Sequence, residues 1–261
     1  MAERELVKAI LNAARDCLDR SGPYFTRFLS EAEQLQLKGI GMPKGVTALF
    51  CGGAGNSEPQ RCCLGLFPSY YFDDGGKSYT ADESTAEMFP VKAVTFRFRR
   101  EDTVTHRDVL GSLMALGIER DAVGDIFVTD GAAAVFVYEK VVPLIEENIS
   151  KIGRIGVRIQ TGIKADFALP ERKYEDLFLS VASLRLDNIV KCVSGTSRTG
   201  AVEKYILPQL VQLNGTVCAD VSKQLCEGDI FSVRGKGKFR IENIGETGRK
   251  GNLHVKVKKY I

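Results

Sequence analysis

The chain has 261 residues, 44% of them hydrophobic, with 36 Lys plus Arg against 33 Asp plus Glu. That length accommodates two or three small domains with buried cores, and no apolar run reaches the roughly 18 residues of a membrane span. The opening residues Met1-Ala2-Glu3-Arg4-Glu5 carry acidic groups and no apolar signal core follows, so a soluble protein that stays in the cytoplasm is expected.

Seven cysteines, an odd number without a Cys-x-x-Cys pair, predict reduced thiols. With only His106 and His254 beside them, no metal site and no cofactor is expected. Charge is uneven along the chain. Residues 182–261 hold 14 Lys plus Arg against 7 Asp plus Glu, net +7, whereas residues 1–181 hold 22 against 26, net −4. A basic field confined to one domain is what a polyanion binder needs, and it makes binding salt-dependent.

In chain order, Leu6, Ile10, Leu11, Ala14 and Leu18 predict an amphipathic helix over 5–18. A second helix is expected over 26–36, with Phe28, Leu29 and Leu35 for packing, before the turn formers Gly39, Gly41, Pro43 and Gly45. Strands are expected over 46–51 and 61–67. The glycine-rich joint at 52–59 is read as a hairpin turn, since no Gly-Lys-Ser/Thr follows and no helix opens there. Residues 70–80 read as a surface loop with a turn at Asp73-Asp74-Gly75-Gly76.

From Phe89 the pattern changes. A strand over 91–98, a helix over 105–116 capped by Thr105, a hairpin of 125–129 with 133–138 about Asp130-Gly131, a helix over 141–149 and a strand over 156–161 give the order βαββαβ. That order predicts a ferredoxin-like sandwich, the layout of the RNA-recognition fold. Neither Ile155-Gly156-Val157-Arg158-Ile159 nor Ala133-Ala134-Val135-Phe136-Val137 spells that fold's stacking signature, so base stacking is not expected on this sheet. His106 lies in the first turn of a capped helix and is read as part of the helix start, not as a general base.

In the last part, Leu186, Ile189, Val190 and Val193 recur at helical spacing. Ser197 caps a second helix carrying Ala201, Val202, Tyr205 and Ile206 inward. The outer face of this pair then presents Arg185, Lys191, Arg198 and Lys204, which suits phosphate. The fold class expected is α+β, with an N-terminal α/β domain at 1–85, the ferredoxin-like domain at 86–181 and a small domain at 182–261.

The Arg185-Leu186-Asp187 opening, the Ser197-Arg198 pair, the Asn214-Gly215 turn and Gly228-Asp229 before a strand resemble, in that order, the alpha-L or S-four-type RNA-binding motif. In this chain Ile206-Leu207-Pro208-Gln209-Leu210 stands where that family closes its second helix with Gly, one residue longer, and Pro208 is expected to end the helix. The resemblance implies RNA contacts at Arg185, Asp187, Lys191, Ser197, Arg198, Lys204 and Asn214. Lys236 and Lys238, on a glycine-flanked loop, are expected to attract RNA at longer range. An RNA-binding piece is expected to begin at Leu184.

Over nearly its full length the chain resembles the YlmH family of bacterial RNA-binding proteins. The marks are Phe50-Cys51-Gly52-Gly53 with Phe67-Pro68, Thr105-His106-Arg107-Asp108-Val109-Leu110-Gly111, Arg120 to Gly124-Asp125-Ile126, and Lys151-Ile152-Gly153-Arg154. That resemblance implies association with the large ribosomal subunit carrying stalled peptidyl-tRNA, in ribosome-associated quality control. A monomer that binds ribosomal RNA and tRNA and catalyses nothing is expected. The alternative is an RNA-modifying enzyme, a pseudouridine synthase or rRNA methyltransferase with an appended binding domain. No glycine motif placed for S-adenosylmethionine and no Asp in a pseudouridine-synthase context supports it.

Overall fold

The computed structural model describes residues 2–53, 60–72, 83–163, 167, 169, 173–247 and 251–261. Residues 54–59 of the turn expected at 52–59 and residues 73–80 of the loop expected over 70–80 lie outside the described residues. The chain divides into two compact units, Met1–Glu171 and Arg172–Ile261.

Unit 1 opens with helix α1 (Ala2–Asp19), whose apolar stripe buries Ile10, Ala13, Ala14 and Cys17. The helix expected over 26–36 is a correction. Residues Tyr24–Leu29 form strand β1, and only Glu31–Lys38 form helix α2. The aromatic and β-branched run Tyr24, Phe25, Thr26, Phe28 favours a pleated, half-buried strand. Ser30 then starts the helix through a capping box: its Oγ accepts from Glu33 N at 3.4 Å, and the Glu33 carboxylate accepts from Ser30 N at 2.7 Å.

Strands β2 (Val46–Cys51) and β3 (Cys62–Pro68) pair antiparallel, and the sheet has the order β1-β3-β2. One face of this sheet takes α1. The other packs Phe28, Leu49, Cys51, Cys63 and Phe67 into one cluster with Phe89 and Phe136. Residues 1–85 and 86–171 therefore share a core, where two separate domains were expected.

After the short helix α3 (Glu83–Ala86), the second half of unit 1 runs β4 (Val91–Arg97), α4 (His106–Ala115), β5 (Val123–Thr129), β6 (Ala132–Tyr138), α5 (Val142–Asn148), the small pair β7 (Lys151–Ile152) and β8 (Ile155–Gly156), then β9 (Arg158–Thr161). The four main strands lie in the antiparallel order β5-β6-β4-β9. Val109, Leu113 and Ile145 of the helices bury against Val94, Phe96, Val135 and Val137 on one sheet face.

The opposite face, which carries base-stacking aromatics in RNA-recognition sheets, is covered. Ala132 and Ala134 are buried with Phe167, and Phe136 packs against the β1–β3 sheet. Two glycines permit that close approach. A Cβ on Gly124 would lie 2.6 Å from the Phe28 ring, and one on Gly53 (φ +83) would lie 2.5 Å from Phe136.

Unit 2 begins earlier than the expected boundary at 181/182. Strand β10 (Tyr174–Val181) pairs along its whole length with the last strand, and Val181 lies in the unit's core. Helix α6 (Leu186–Ser194) and α7 (Arg198–Ala201) follow, the latter running on as a π-helix over Val202–Ile206. There Leu207 N donates to Val202 O, and Leu210 N to Tyr205 O, both at 2.9 Å and both spanning five residues. A π turn holds one more residue than an α turn, which accommodates the extra residue read in this segment.

Strands β11 (Val211–Leu213), β12 (Thr216–Val217), β13 (Ile230–Val233), β14 (Gly237–Thr247) and β15 (Leu253–Tyr260) complete a six-stranded sheet of order β10-β15-β14-β13-β11-β12. Asn214 (φ +50) and Gly215 (φ +80) turn the β11–β12 hairpin, the left-handed pair that a two-residue turn favours. Leu186, Ile189, Val190, Ala201 and Ile206 bury against Phe231, Phe239, Ile241 and Val257.

A buried carboxylate holding two arginines

The apolar stripe of α6 fixes the site. Leu186, Ile189 and Val190 point inward, and Asp187, three residues before Val190, points the same way, so the residue is 1% exposed. A carboxylate that deep needs partners. Arg198 donates Nε and Nη2 to Asp187 Oδ2 at 2.9 and 2.7 Å, while Arg185 donates Nε to Oδ1 at 3.4 Å and Nη2 to Oδ2 at 3.2 Å.

Burial pushes the Asp187 carboxyl up, but the hydrogen bonds and charges of Arg185 and Arg198 outweigh it and hold its pKa below the ordinary carboxylate value. The carboxylate is thus ionised at neutral pH and orients both guanidinium groups. The Arg185 side chain remains 33% exposed and that of Arg198 54%. Each has used part of its planar fork inward and keeps an outward edge for an anion.

The remaining residues singled out in the sequence divide by what they touch. Lys191, in the last turn of α6, and Lys204, in the π segment, are both exposed. Gly195 (φ +68) ends α6 in the left-handed conformation, with its N–H on Lys191 O. Ser197 caps α7, its Oγ accepting from Gly200 N at 3.0 Å. Asn214 donates to Asp229 Oδ1 at 2.8 Å and accepts from Ile230 N at 2.9 Å, which fixes the hairpin. Lys236 is exposed in the β13–β14 turn, and the Lys238 ammonium lies 5.0 Å over the Tyr260 ring.

Three residues read as RNA contacts therefore do structural work. Asp187 anchors the arginines from inside, Ser197 is a cap and Asn214 is a turn lock. The signal for Asp187 was its place on the inward stripe of α6, since an acid there implies a cationic partner. Among the described residues, no group of three His, Cys, Asp or Glu is placed to hold a metal. All seven cysteines are free thiols. His106 takes the first position of α4 after a Thr105–Asp108 capping box, as its sequence context suggested.

Comparison with known proteins adds an independent line. Residues 86–165 match a family model described as a putative RNA-binding domain in YlmH. The chain is 28% identical, over 97% of its own length and 93% of the relative's, to a Bacillus subtilis (strain 168) protein named ribosome-associated protein quality control protein P2. A solved structure titled cell division protein ylmH from Streptococcus pneumoniae aligns with a TM-score of 0.49 at 19% identity, covering 62% of this chain and 91% of that one. The family model and the relative support the likeness to the YlmH family.

Proposed function

We propose that this protein is a non-catalytic, ribosome-associated RNA-binding factor that grips structured RNA with the α6–α7 face of unit 2. The observation that carries the reading is the Asp187-held pair Arg185 and Arg198, flanked by exposed Lys191 and Lys204, in the part of the chain where the basic charge is concentrated. Two forks aimed by one buried carboxylate lose little freedom when they meet phosphates, so contact costs less ordering than two free side chains would. The helix pair, the Asn214-Gly215 hairpin and the sheet behind them support an S-four-type reading of this unit.

The likeness to a relative named for ribosome-associated quality control, and the matched putative RNA-binding domain, support a ribosomal partner. On this reading the partners are ribosomal RNA and tRNA on the large subunit, bound in the cytoplasm by a monomer, and no base is modified.

Co-sedimentation of the full chain with purified large subunits over a salt series tests the binding. Wild type pellets with the subunits and is released as salt rises. Lys191→Ala and Lys204→Ala each lower the salt slope by about one unit. Failure to pellet at low salt, or a slope unchanged in both variants, overturns the reading. Nucleoside mass spectrometry of tRNA and ribosomal RNA, incubated with the protein with and without S-adenosylmethionine, tests the absence of turnover. A new modified base would establish an enzyme.

A further inference from the structure

The six-stranded sheet of unit 2 has two faces with opposite chemistry. The face under α6 and α7 is aliphatic, with Leu177, Leu179, Val255, Val257 and Ile241 turned into the core. The alternate residues of β10, β15 and β14 point the other way, and they interleave aromatic rings with cations. Phe178 is 78% exposed, far more than a phenyl ring on a strand usually is. Tyr174 and Tyr260 are cross-strand partners whose rings meet edge to face at 5.2 Å.

Each ring has its own ammonium. Lys256 lies 6.0 Å over Phe178, Lys258 lies 5.4 Å over Tyr174, and Lys238 lies 5.0 Å over Tyr260. Two acids share this face, Asp176 at 2.8 Å from Lys256 Nζ and Glu242 at 3.2 Å from Lys258 Nζ. Both pairs are half-buried, with 28–44% of each side chain exposed, so solvent still screens them and a competing anion can draw the lysines away.

We propose that this sheet face is a second RNA contact, one that takes unpaired nucleotides by stacking bases on Phe178 and on the Tyr174–Tyr260 pair while Lys256, Lys258 and Lys238 move onto the adjoining phosphates. The lysines fill the ring faces in the free protein through cation–π attraction, and a base displaces each one toward the backbone charge that arrives with it. Phe178 and Tyr174 are four residues apart on one strand, about 13 Å, so they hold separate bases and not one. The occupant follows from the pairing of rings with cations. A protein partner of mixed chemistry would not need a lysine beside every ring, whereas a single-stranded polyanion with a flat base at each step does, and unit 2 carries the chain's excess of positive charge.

The inference does not depend on the Asp187 site, which lies with the helices on the other side of the sheet. The test uses the full chain and a short unstructured RNA containing 2-aminopurine, with a fully paired RNA hairpin beside it. Wild type quenches the 2-aminopurine fluorescence on binding, as stacking requires. Phe178→Ala weakens single-strand binding roughly 5- to 100-fold and relieves the quenching, whereas Phe178→Tyr keeps both. Lys256→Ala with Lys258→Ala lowers single-strand affinity without touching the ring. Lys191→Ala with Lys204→Ala weakens hairpin binding and leaves the quenching intact.

Absence of quenching by wild type overturns the inference. So does wild-type single-strand affinity in Phe178→Ala. Concentration-dependent self-association that Phe178→Ala abolishes would assign this face to a second copy of the chain instead, and cross-linking of Phe178 to a ribosomal protein would assign it to that protein.

Discussion

Replacing Arg198 with Ala tests the electrostatic design of the site most directly. The substitution removes two charge-assisted hydrogen bonds, at 2.9 and 2.7 Å, from a carboxylate whose side chain is 2% exposed. It leaves only Arg185, at 3.2 and 3.4 Å. Taking one partner from a fully buried pair costs about 3–5 kcal/mol, because the other charge is left behind. Two facts reduce that here: Arg185 still faces the carboxylate, and the Arg198 side chain is 54% exposed, so water reaches the vacated side. The expected loss is about 2 kcal/mol, larger than the roughly 0.5 kcal/mol that an ordinary exposed substitution costs.

For a unit the size of residues 172–261, about 2 kcal/mol lowers the melting temperature by about 8–16 °C. Calorimetry of the full chain measures this, with hydrogen exchange over 186–206 assigning the transition to unit 2. Arg198→Lys restores a point charge without the fork and recovers part of the loss. Adding Asp187→Asn to Arg198→Ala recovers stability as well, since no ionised group is then stranded. If Arg198→Ala melts with wild type, or if the double variant is no more stable than the single one, the buried-anchor reasoning is refuted.

Because the folded Asp187 pKa lies below its unfolded value, its stabilising contribution is fully present above about pH 3.9 and fades as pH falls through the folded value; an acid titration should show a shallower low-pH limb for Asp187→Asn. Gly124→Val forces a side chain into the Phe28 ring, where even a Cβ would lie at 2.6 Å, and should destabilise unit 1 by about 1–3 kcal/mol in calorimetry while leaving the unit 2 transition unchanged. A fragment of residues 172–261 should show a cooperative melt, and one beginning at Leu184, the start expected from the motif alone, should not, because it lacks the core side chains Leu177, Leu179 and Val181.

The helices of the candidate site were legible because Leu186, Ile189, Val190, Ala201 and Ile206 repeat at helical spacing, and because Ser197 is a strong cap. The βαββαβ order of residues 91–161 was legible for the same kind of reason, with turn residues marking each boundary. Strand β1 was misread because Phe28, Leu29 and Leu35 fit a helical spacing equally well, and pairing with β3, at Tyr24↔Leu66 and Leu29↔Cys62, decided the matter from far along the chain. The shared core of unit 1 left no periodic mark, since it depends on the missing Cβ atoms of Gly53 and Gly124. Strands β10 and β15 were passed over because half their residues are charged or polar, and the alternation of Leu177, Leu179, Val181 with Val255 and Val257 gains meaning only once the strands are paired.

That pairing bears on how unit 2 assembles. Strand β15 lies between β10 and β14, so β10 has no neighbour in the sheet until the last strand is in place, and its partners, from Tyr174↔Tyr260 to Val181↔Leu253, are separated by 72 to 86 residues. Closing a loop of that length is an entropic cost met before any ladder bond is gained, and such contacts slow folding. The hairpin β13–β14 and the helices α6 and α7 are local and can form early, so the arginine pair can be positioned while the aromatic face is still open. A refolding experiment should then register two events in order: protection of residues 186–206 first, and protection of residues 174–181 together with 253–260 as one later step.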